Sequence, residues 1–495
     1  MKLIITVQFL CGHYHGRNRE KILEDFPPSP MRLFQALLAA SPRGLYGKQN
    51  VAIRDNALQW LGNLAPPTIV ANETIKSGED TINYVPNNDN KFDHIRTDKS
   101  MHHHVLLDDG KVKYVWGFDV DETTREFAKA ICAMSQLITY LGQTTDLVIA
   151  HGEVTEDFTE DESKAIFKPE TSKGDWQIPT KGSLQACQER YKERKNLVDF
   201  PTPARWVDYR NKNAIYLDAP TALFELRQNG GKNRLPFEPV LLQQVSAMTR
   251  HAWLNFLREN KNFADDYGAD LLAQKFAGHE SNTSEKSVDA PHVAFVPLPS
   301  LNKEFTADGK IRRVLVIGYG CESKENRQMF EDIANKLNGA LLIDEKTGEK
   351  KGEIIKVEPK EYKMVYCFIA KNHQFAKVWR TVTPIILSGH PRLITNNENP
   401  NAEQTKIFKK GRSPEDFILK CLKEAGIPLE IVESVDATKS PVVPKTQHSF
   451  LYKPNERLRS SPRFHAEVVF KKPIVGSLVI GRGRFAGFGL MMPIE

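Results

Sequence analysis

Two stretches of the chain gather residue types that could do chemistry. Gly481–Met491, GRGRFAGFGLM, packs four glycines and two arginines into eleven residues. Gly481-x-Gly483-x-x-Ala486 satisfies the glycine fingerprint of a dinucleotide-binding loop. That fingerprint also needs a helix after the loop and an acidic ribose ligand about 20 residues on. Only nine residues follow Ala486, so no nicotinamide or flavin cofactor is expected. A glycine loop without a helix can still hold phosphate through its backbone N–H groups. Arg482 and Arg484 would supply charge, and Phe485 and Phe488 would pack beneath the loop or stack on a base. A tight bulged hairpin, its glycines taking positive φ, accounts for the same spacing. The second stretch is GHYHG, which places His13 and His15 on one side of an extended chain and Tyr14 on the other. No acidic or cysteine partner has metal-ligand spacing and no CxxC pair exists among the six cysteines, so no metal site is expected. The triplet His102–His104 alternates faces and reads as loop.

The elements that must position these residues alternate between strand and helix, which predicts an α/β or α+β protein. KLIITVQF, TTDLVIAHGEV, PHVAFVPLP, IRRVLVIGYG, RFHAEVVF and GSLVIGRG read as strands from their β-branched and apolar residues. In FPPSPMRLFQALLAAS, Ser29 caps a helix with Pro30 at its first position, and Leu33, Phe34, Leu37 and Leu38 recur at helical spacing. A second helix covers TREFAKAICAMSQLITYLG and is expected to end at Gly142. Further helices are VLLQQVSAMTRHAWLNFLREN, NRQMFEDIANKLNG ending at Gly339, and SPEDFILKCLKEAGIP ending at Gly426. The polar stretches 72–99 and 156–196 read as loops or insertions, and 344–361 as a charged separator. Gly230-Gly231 and two prolines mark a boundary within 217–239. The strand–helix–strand rhythm predicts ferredoxin-like βαββαβ units.

A length of 495 residues predicts two or more domains. The 40% hydrophobic and 26% charged content fits a soluble protein with real cores, and no apolar run is long enough to span a membrane. The first ten residues read as a strand without a cleavage site, and the scattered cysteines suit a reducing cytoplasm. A net charge of +6 permits a polyanionic partner without requiring one. Cations do cluster, at 188–196, 311–313, 406–412 and 455–463.

Several segments then fall in the order of one family: GHYHG, FPPSPMRLFQALLAA, YLGQTTDLV, PHVAFVPLP followed by ADG, VWRTVTPIILSGHP, and RFHAEVVFKKPIVGSLVIGRGRFAGFGL. Across nearly its whole length, outside the polar insertions, the chain resembles the type I-G (formerly I-U) CRISPR-associated fusion protein. That family joins a crRNA 5′-handle-binding subunit to a crRNA-processing endoribonuclease, both of the RAMP superfamily. The resemblance implies an α+β fold of tandem ferredoxin-like, RRM-related units in two halves. Residues 1–230 would hold the 5′ handle, with His13, His15 and Arg32 as RNA contacts. Residues 235–495 would cut precursor crRNA and retain the 3′ hairpin, while the first half would cap one end of a type I effector complex beside its other subunits. Gly481, Gly483, Gly487 and Gly489 would belong to the RNA-contact loop. The implied reaction needs no metal: the 2′-OH attacks the adjacent phosphate and leaves a 2′,3′-cyclic phosphate and a 5′-OH.

That reaction needs a base, a proton source and cations against the developing charge. Histidine suits the first two. His279 lies in a glycine-flanked loop after the first helical region of the second half, where related enzymes tend to carry their catalytic histidine. His292 opens a strand, and His251 lies within a helix. We rank them in that order, with a strand-edge or helix-surface role as the plain alternative for the last two. Arg463, Arg482 and Arg484 suit phosphate contacts. His465 would contact RNA or pack in the sheet, and Lys275 and Tyr319 could donate charge or a proton. A non-catalytic RNA-binding scaffold is the competing expectation.

Overall fold

The Lys2–Phe9 strand sets the frame for the first half. Leu3, Ile5, Val7 and Phe9 are buried in one core, and each such burial is worth about 1.5–3 kcal/mol. The structure is a computed structural model. It describes residues 1–16, 26–72, 75–77, 81–86, 96–101, 103–106, 109–170, 174, 176–193, 203–230, 233–281, 284–287, 291–301, 307–358, 367–370, 376–395 and 406–494. His102 therefore lies outside the described residues. The chain forms two compact units, dividing between Ala214 and Ile215. No helix among the described residues is long and apolar enough to cross a membrane.

In the first unit, Lys2–Phe9 is followed by helices Pro30–Ala40 and Val51–Asn63, then strands Thr68–Ala71 and Lys111–Gly117. Helix Glu122–Ser135 and strand Val148–Thr155 complete the motif. Numbering these four strands in chain order, they pair as second, third, first, fourth, antiparallel throughout. That is the ferredoxin-like order, with Ala165–Pro169 and Tyr209–Asn211 extending one edge. Ser29 caps the first helix through its side chain, and Pro30 stands at N1, as the sequence predicts. The Glu122–Ser135 helix stops seven residues before Gly142 because Leu137 and Ile138 donate to carbonyls three residues back, which tightens and ends it.

The second unit contains two more such sheets. In the first, Thr221–Arg227, helix Leu242–Glu259, Ala294–Pro299, Ile311–Ile317, helix Lys324–Lys336 and the hairpin Ala340–Ile343/Lys350–Lys356 pair in the same order, with Ala340–Ile343 added at the edge. Trp253, on the Leu242–Glu259 helix, is fully buried and stacks on Phe276 at 5.5 Å between ring centroids. In the other sheet the first strand is broken into Val378–Thr381 and Ile385–Ile386 around Pro384. Helix Pro414–Glu424 then leads to Val432–Thr438, Arg463–Phe470 and finally Met491–Ile494. The order is again second, third, first, fourth. No α-helix connects the third and fourth strands. Residues 471–490 hold instead a two-residue strand, Ile474–Val475, and a single 3-10 turn, Arg484–Ala486.

Three expectations need correction. Residues 72–99 and 156–196 are not plain loops, since they contain strands Thr81–Pro86, Arg96–Met101, Ala165–Pro169 and Trp176–Pro179 and helix Ser183–Lys192. The charged stretch 344–361 contains the Lys350–Lys356 strand, KKGEIIK, whose buried Gly352 and Ile354 alternate with partly exposed Lys351, Glu353 and Ile355. GSLVIGRG is not a regular strand: Val479 makes an isolated bridge to Leu490, and Ile480 donates to Gly489 O at 3.0 Å.

Candidate functional site

The glycine loop stands where a ferredoxin-like unit ordinarily has its second helix. Its glycines are buried, and close approach explains each one. A Cβ on Gly489 (φ 74°) would fall 1.8 Å from Ile480 O, and one on Gly487 (φ 87°) 2.6 Å from Pro297 Cδ. On Gly481 it would meet Ile386 O at 2.8 Å, and on Gly483 the Ile386 and Phe488 side chains at 2.8 Å. The loop's amides are largely used within the fold. Those of Arg482, Gly489 and Leu490 donate to Ile386 O, Pro384 O and Thr383 Oγ1, while those of Arg484, Ala486 and Phe488 stay within the loop. The bulged-hairpin account therefore explains the glycines. Arg482 is exposed. Arg484 donates to Gly481 O at 3.3 Å and lies over the Phe485 ring at 4.5 Å. Phe488 is core, whereas Phe485 stacks within the protein.

Phe485 links the loop to the predicted histidines. The His292 ring stacks on it, 3.7 Å between centroids at 26°. On its other side His292 Nε2 would lie 2.9 Å from a Cβ on Gly278, so only glycine (φ 68°) fits there. His279 follows directly, half-buried at the start of the His279–Ser281 strand. Lys275 O accepts the amide of Val293 at 2.8 Å, and Lys275 Nζ reaches the Gly320 backbone, 2.9 Å from where its Cβ would be. Tyr319 meets Phe485 edge-on at 6.2 Å. Burial pushes the Tyr319 hydroxyl upward, an effect that Arg484 opposes. His292 and Tyr319 thus meet the Phe485 ring and Arg484 lies over it, with Gly278 against His292 and Lys275 Nζ beside Gly320. Both members of an acid–base pair and two cations can be drawn from that set.

His251 is not brought there. Its Nδ1 donates to Glu345 Oε1 at 2.5 Å and its Nε2 accepts from Asn255 Nδ2 at 2.7 Å, while the preceding Arg250 turns to Ala277 O. The expectation that His465 contacts RNA also needs correction. It is fully buried, its Nε2 donates to Gln447 O at 2.9 Å, and its Nδ1 is 3.0 Å from the Thr381 hydroxyl. Burial holds its pKa down at about 4, so it is a neutral core residue. The next strand position but one, Arg463, is half-buried and donates to Tyr452 O at 2.7 Å.

The first unit gathers a second histidine group. His13–Tyr14 pairs with His104–Leu106, so this part of the triplet is strand rather than loop. Tyr14 enters the core and His13 and His15 share the other side, with His103 packed beside both at 5.1 and 5.0 Å. His15 Nδ1 donates to Asp146 Oδ1 at 2.6 Å, and Asp146 Oδ2 accepts from the amides of His15 and Gln143. Both partners are buried. Gly142 makes room, since its Cβ would lie 2.1 Å from Asp146 Oδ2. Arg32 sits half-buried on the first turn of its helix. Sequence reading missed Asp146 and His103 because they lie 131 and 88 positions from His15, that is, at 146 and 103 in the chain. The one available signal was the aspartate closing YLGQTTD. Among the described residues no three His, Cys, Asp or Glu side chains stand where they could hold a metal ion.

A chain built on repeated ferredoxin-like sheets, one with its last crossover replaced by a buried glycine loop, defines a class of α+β protein. The family model described as "CRISPR-associated protein, GSU0054 family" matches residues 6–493, and the chain belongs to that family. No curated protein matches. Solved structures that align include one described as CRISPR associated protein Cas6, 14% identical over 56% of this chain and 100% of that one, at a TM-score of 0.24. Others are a Cas6 product complex (13%, 56% and 100%, 0.22) and a Cas6-related protein of Pyrococcus furiosus (11%, 56% and 99%, 0.24). At these scores the likenesses carry no argument, and the fold rests on the strand orders above.

Proposed function

We propose that this chain is a crRNA-processing endoribonuclease of the type I-G kind, which keeps its product and caps one end of a type I effector complex. Met1–Ala214 hold the 5′ handle, and the unit from Ile215 onward, which includes the Thr221–Arg227 strand, cuts the repeat. The observation that carries the reading is the meeting of His292, Tyr319 and Arg484 on Phe485 of the glycine loop, with Gly278 against His292 and Lys275 beside Gly320. One histidine takes the 2′-OH proton as that oxygen bonds to phosphorus. A second group, His279 or the Tyr319 hydroxyl, gives a proton to the departing 5′-oxygen. Lys275, Arg482 and Arg484 meet the charge on the phosphorane. The products are a 2′,3′-cyclic phosphate and a 5′-OH, with no metal in the step.

The test is incubation of the full chain with end-labelled repeat RNA in EDTA. Cleavage at one site with a cyclic-phosphate end, lost in His292→Ala or His279→Ala, supports the enzyme. The tight packing of His292 between Phe485 and Gly278 favours a second reading, a non-catalytic RNA scaffold. Tight binding of RNA that stays intact would leave only that one.

A further inference from the structure

Glu225 lies on the Thr221–Arg227 strand of the second unit, where Ala222, Phe224 and Leu226 face one core and Leu223 the other. Glu225 and Arg227 therefore share the Leu223 side. The carboxylate is 5% exposed, and burying it alone would cost several kcal/mol. Three arginines converge on it. Arg227 donates from Nε at 2.9 Å and Nη2 at 2.8 Å, Arg234 from Nε at 2.6 Å, and Arg313 from Nη2 at 3.3 Å. Arg313 stands directly opposite Glu225 in the antiparallel register. Arg227 and Arg234 oppose each other across a bridge closed by a turn at Gly230 (φ 86°).

That arrangement is costly for a purely structural network, because like charges directly opposed across strands destabilise the pair. Nearby ion pairs are one to one: Arg312 with Asp308, bidentate at 2.6 and 2.7 Å, and Lys310 with Glu238 at 3.0 Å. Burial raises the Glu225 pKa, but the Arg227 and Arg234 contacts outweigh it and the net shift is downward, so the carboxylate stays charged. The three side chains are graded outward, at 11% exposure for Arg313, 35% for Arg227 and 48% for Arg234. Arg227 and Arg313 have further contacts of their own, so the weight falls on Arg234. It is held by Nε, the root of its guanidinium, and its side chain is the most exposed of the three.

The geometry points to an arginine clamp for one phosphodiester group of bound RNA, with Arg234 as the contacting residue and Glu225 as the residue that positions it. This rests on the RNA-binding reading above. A guanidinium braced from behind by a carboxylate presents its fork at a fixed angle, so little side-chain entropy is lost when a phosphate arrives.

The test uses the full chain and repeat RNA carrying 2′-O-methyl groups, which keeps its phosphates but cannot be cut by 2′-OH attack. Kd is measured between about 50 and 200 mM salt. Arg234→Gln is expected to weaken binding about tenfold and to lower the salt slope by about one, for any RNA sequence, with only a small fall in melting temperature because Arg227 and Arg313 still pair Glu225. Glu225→Gln adds one positive charge to the chain. A clamp predicts weaker binding because its arginines splay, whereas diffuse attraction predicts tighter binding. Should Glu225→Gln fail to fold, Arg234→Gln, at a half-exposed site, decides alone. Wild-type affinity and slope in Arg234→Gln, or tighter binding in Glu225→Gln, overturns the clamp and leaves RNA binding standing. A wild-type chain that binds no RNA overturns both.

Discussion

His15 in the first unit and His292 in the second are both held tightly, by opposite means. His15 gives its Nδ1 proton to Asp146, a carboxylate 131 positions away that also ties down two backbone amides. His292 is held by its plane, stacked on Phe485 and abutting Gly278. A polar anchor commits one ring nitrogen and joins two distant chain segments, so it serves the fold whatever else it does. A stacked ring is oriented through its faces, here by Phe485 and Gly278. On the proposed function, the difference would separate a histidine that holds structure from one placed to exchange protons.

The largest expected effect tests that separation directly. His292→Ala should slow metal-free cleavage of repeat RNA by about 10²–10⁴-fold, the range for losing a general acid or base. His15→Ala should leave the single-turnover rate within about a factor of two of wild type, since a structural residue contributes no acid–base term. Equal losses in both would erase the distinction.

Asp146→Asn probes the first unit from the other side. An asparagine turns one carboxylate oxygen into an NH₂ group that faces N–H donors from His15 or Gln143. Stability in urea should fall by about 3–4 kcal/mol, as expected when one partner of a buried pair is removed. A change below about 1 kcal/mol would show that the anchor is not what holds these segments.

The glycine loop offers the next contrast. Gly489→Ala combines left-handed backbone strain with a Cβ placed 1.8 Å from Ile480 O, and should cost about 3 kcal/mol. Gly426→Ala, with φ 84° but no atom within 4 Å of the added Cβ, should cost about 1 kcal/mol from strain alone. Equal costs, read from chemical unfolding, would mean that close packing is not the reason for the loop's glycines.

What the sequence revealed follows the range of the interactions. The Ser29 cap and the Ser413 capping box are local, so residues three positions apart announce them. The buried strands were visible because apolar residues dominate them. The Lys350–Lys356 strand was hidden because tertiary packing, not local propensity, buries Gly352 and Ile354. Asp146 and the Glu225 cluster were invisible for the same reason, since their partners meet only once the sheets form. The glycine loop shows the converse: its spacing was legible and its packing role was one of two open readings. Which reading applied depended on Ile386 and Pro297, far away in the chain.

The smallest effect concerns His465, and here the sign can be worked out. Burial lowers its pKa from 6.5 to about 4, so the folded chain keeps it neutral where the unfolded chain protonates it. Above pH 6.5 both states are neutral and the full stability is present. As pH falls through the window between 6.5 and about 4, the unfolded state binds the proton first and stability is lost. Between pH 7 and pH 5 the loss should be about 2 kcal/mol. His465→Gln should remove that slope, seen as urea midpoints of the second unit that fall less than those of wild type between pH 7 and pH 5. The Gln447 carbonyl and Thr381 hydroxyl would still find an amide donor and acceptor, so the variant should fold. An unchanged slope would assign the acid sensitivity to other groups and would place His465 nearer to solvent, and so nearer to RNA, than its burial implies.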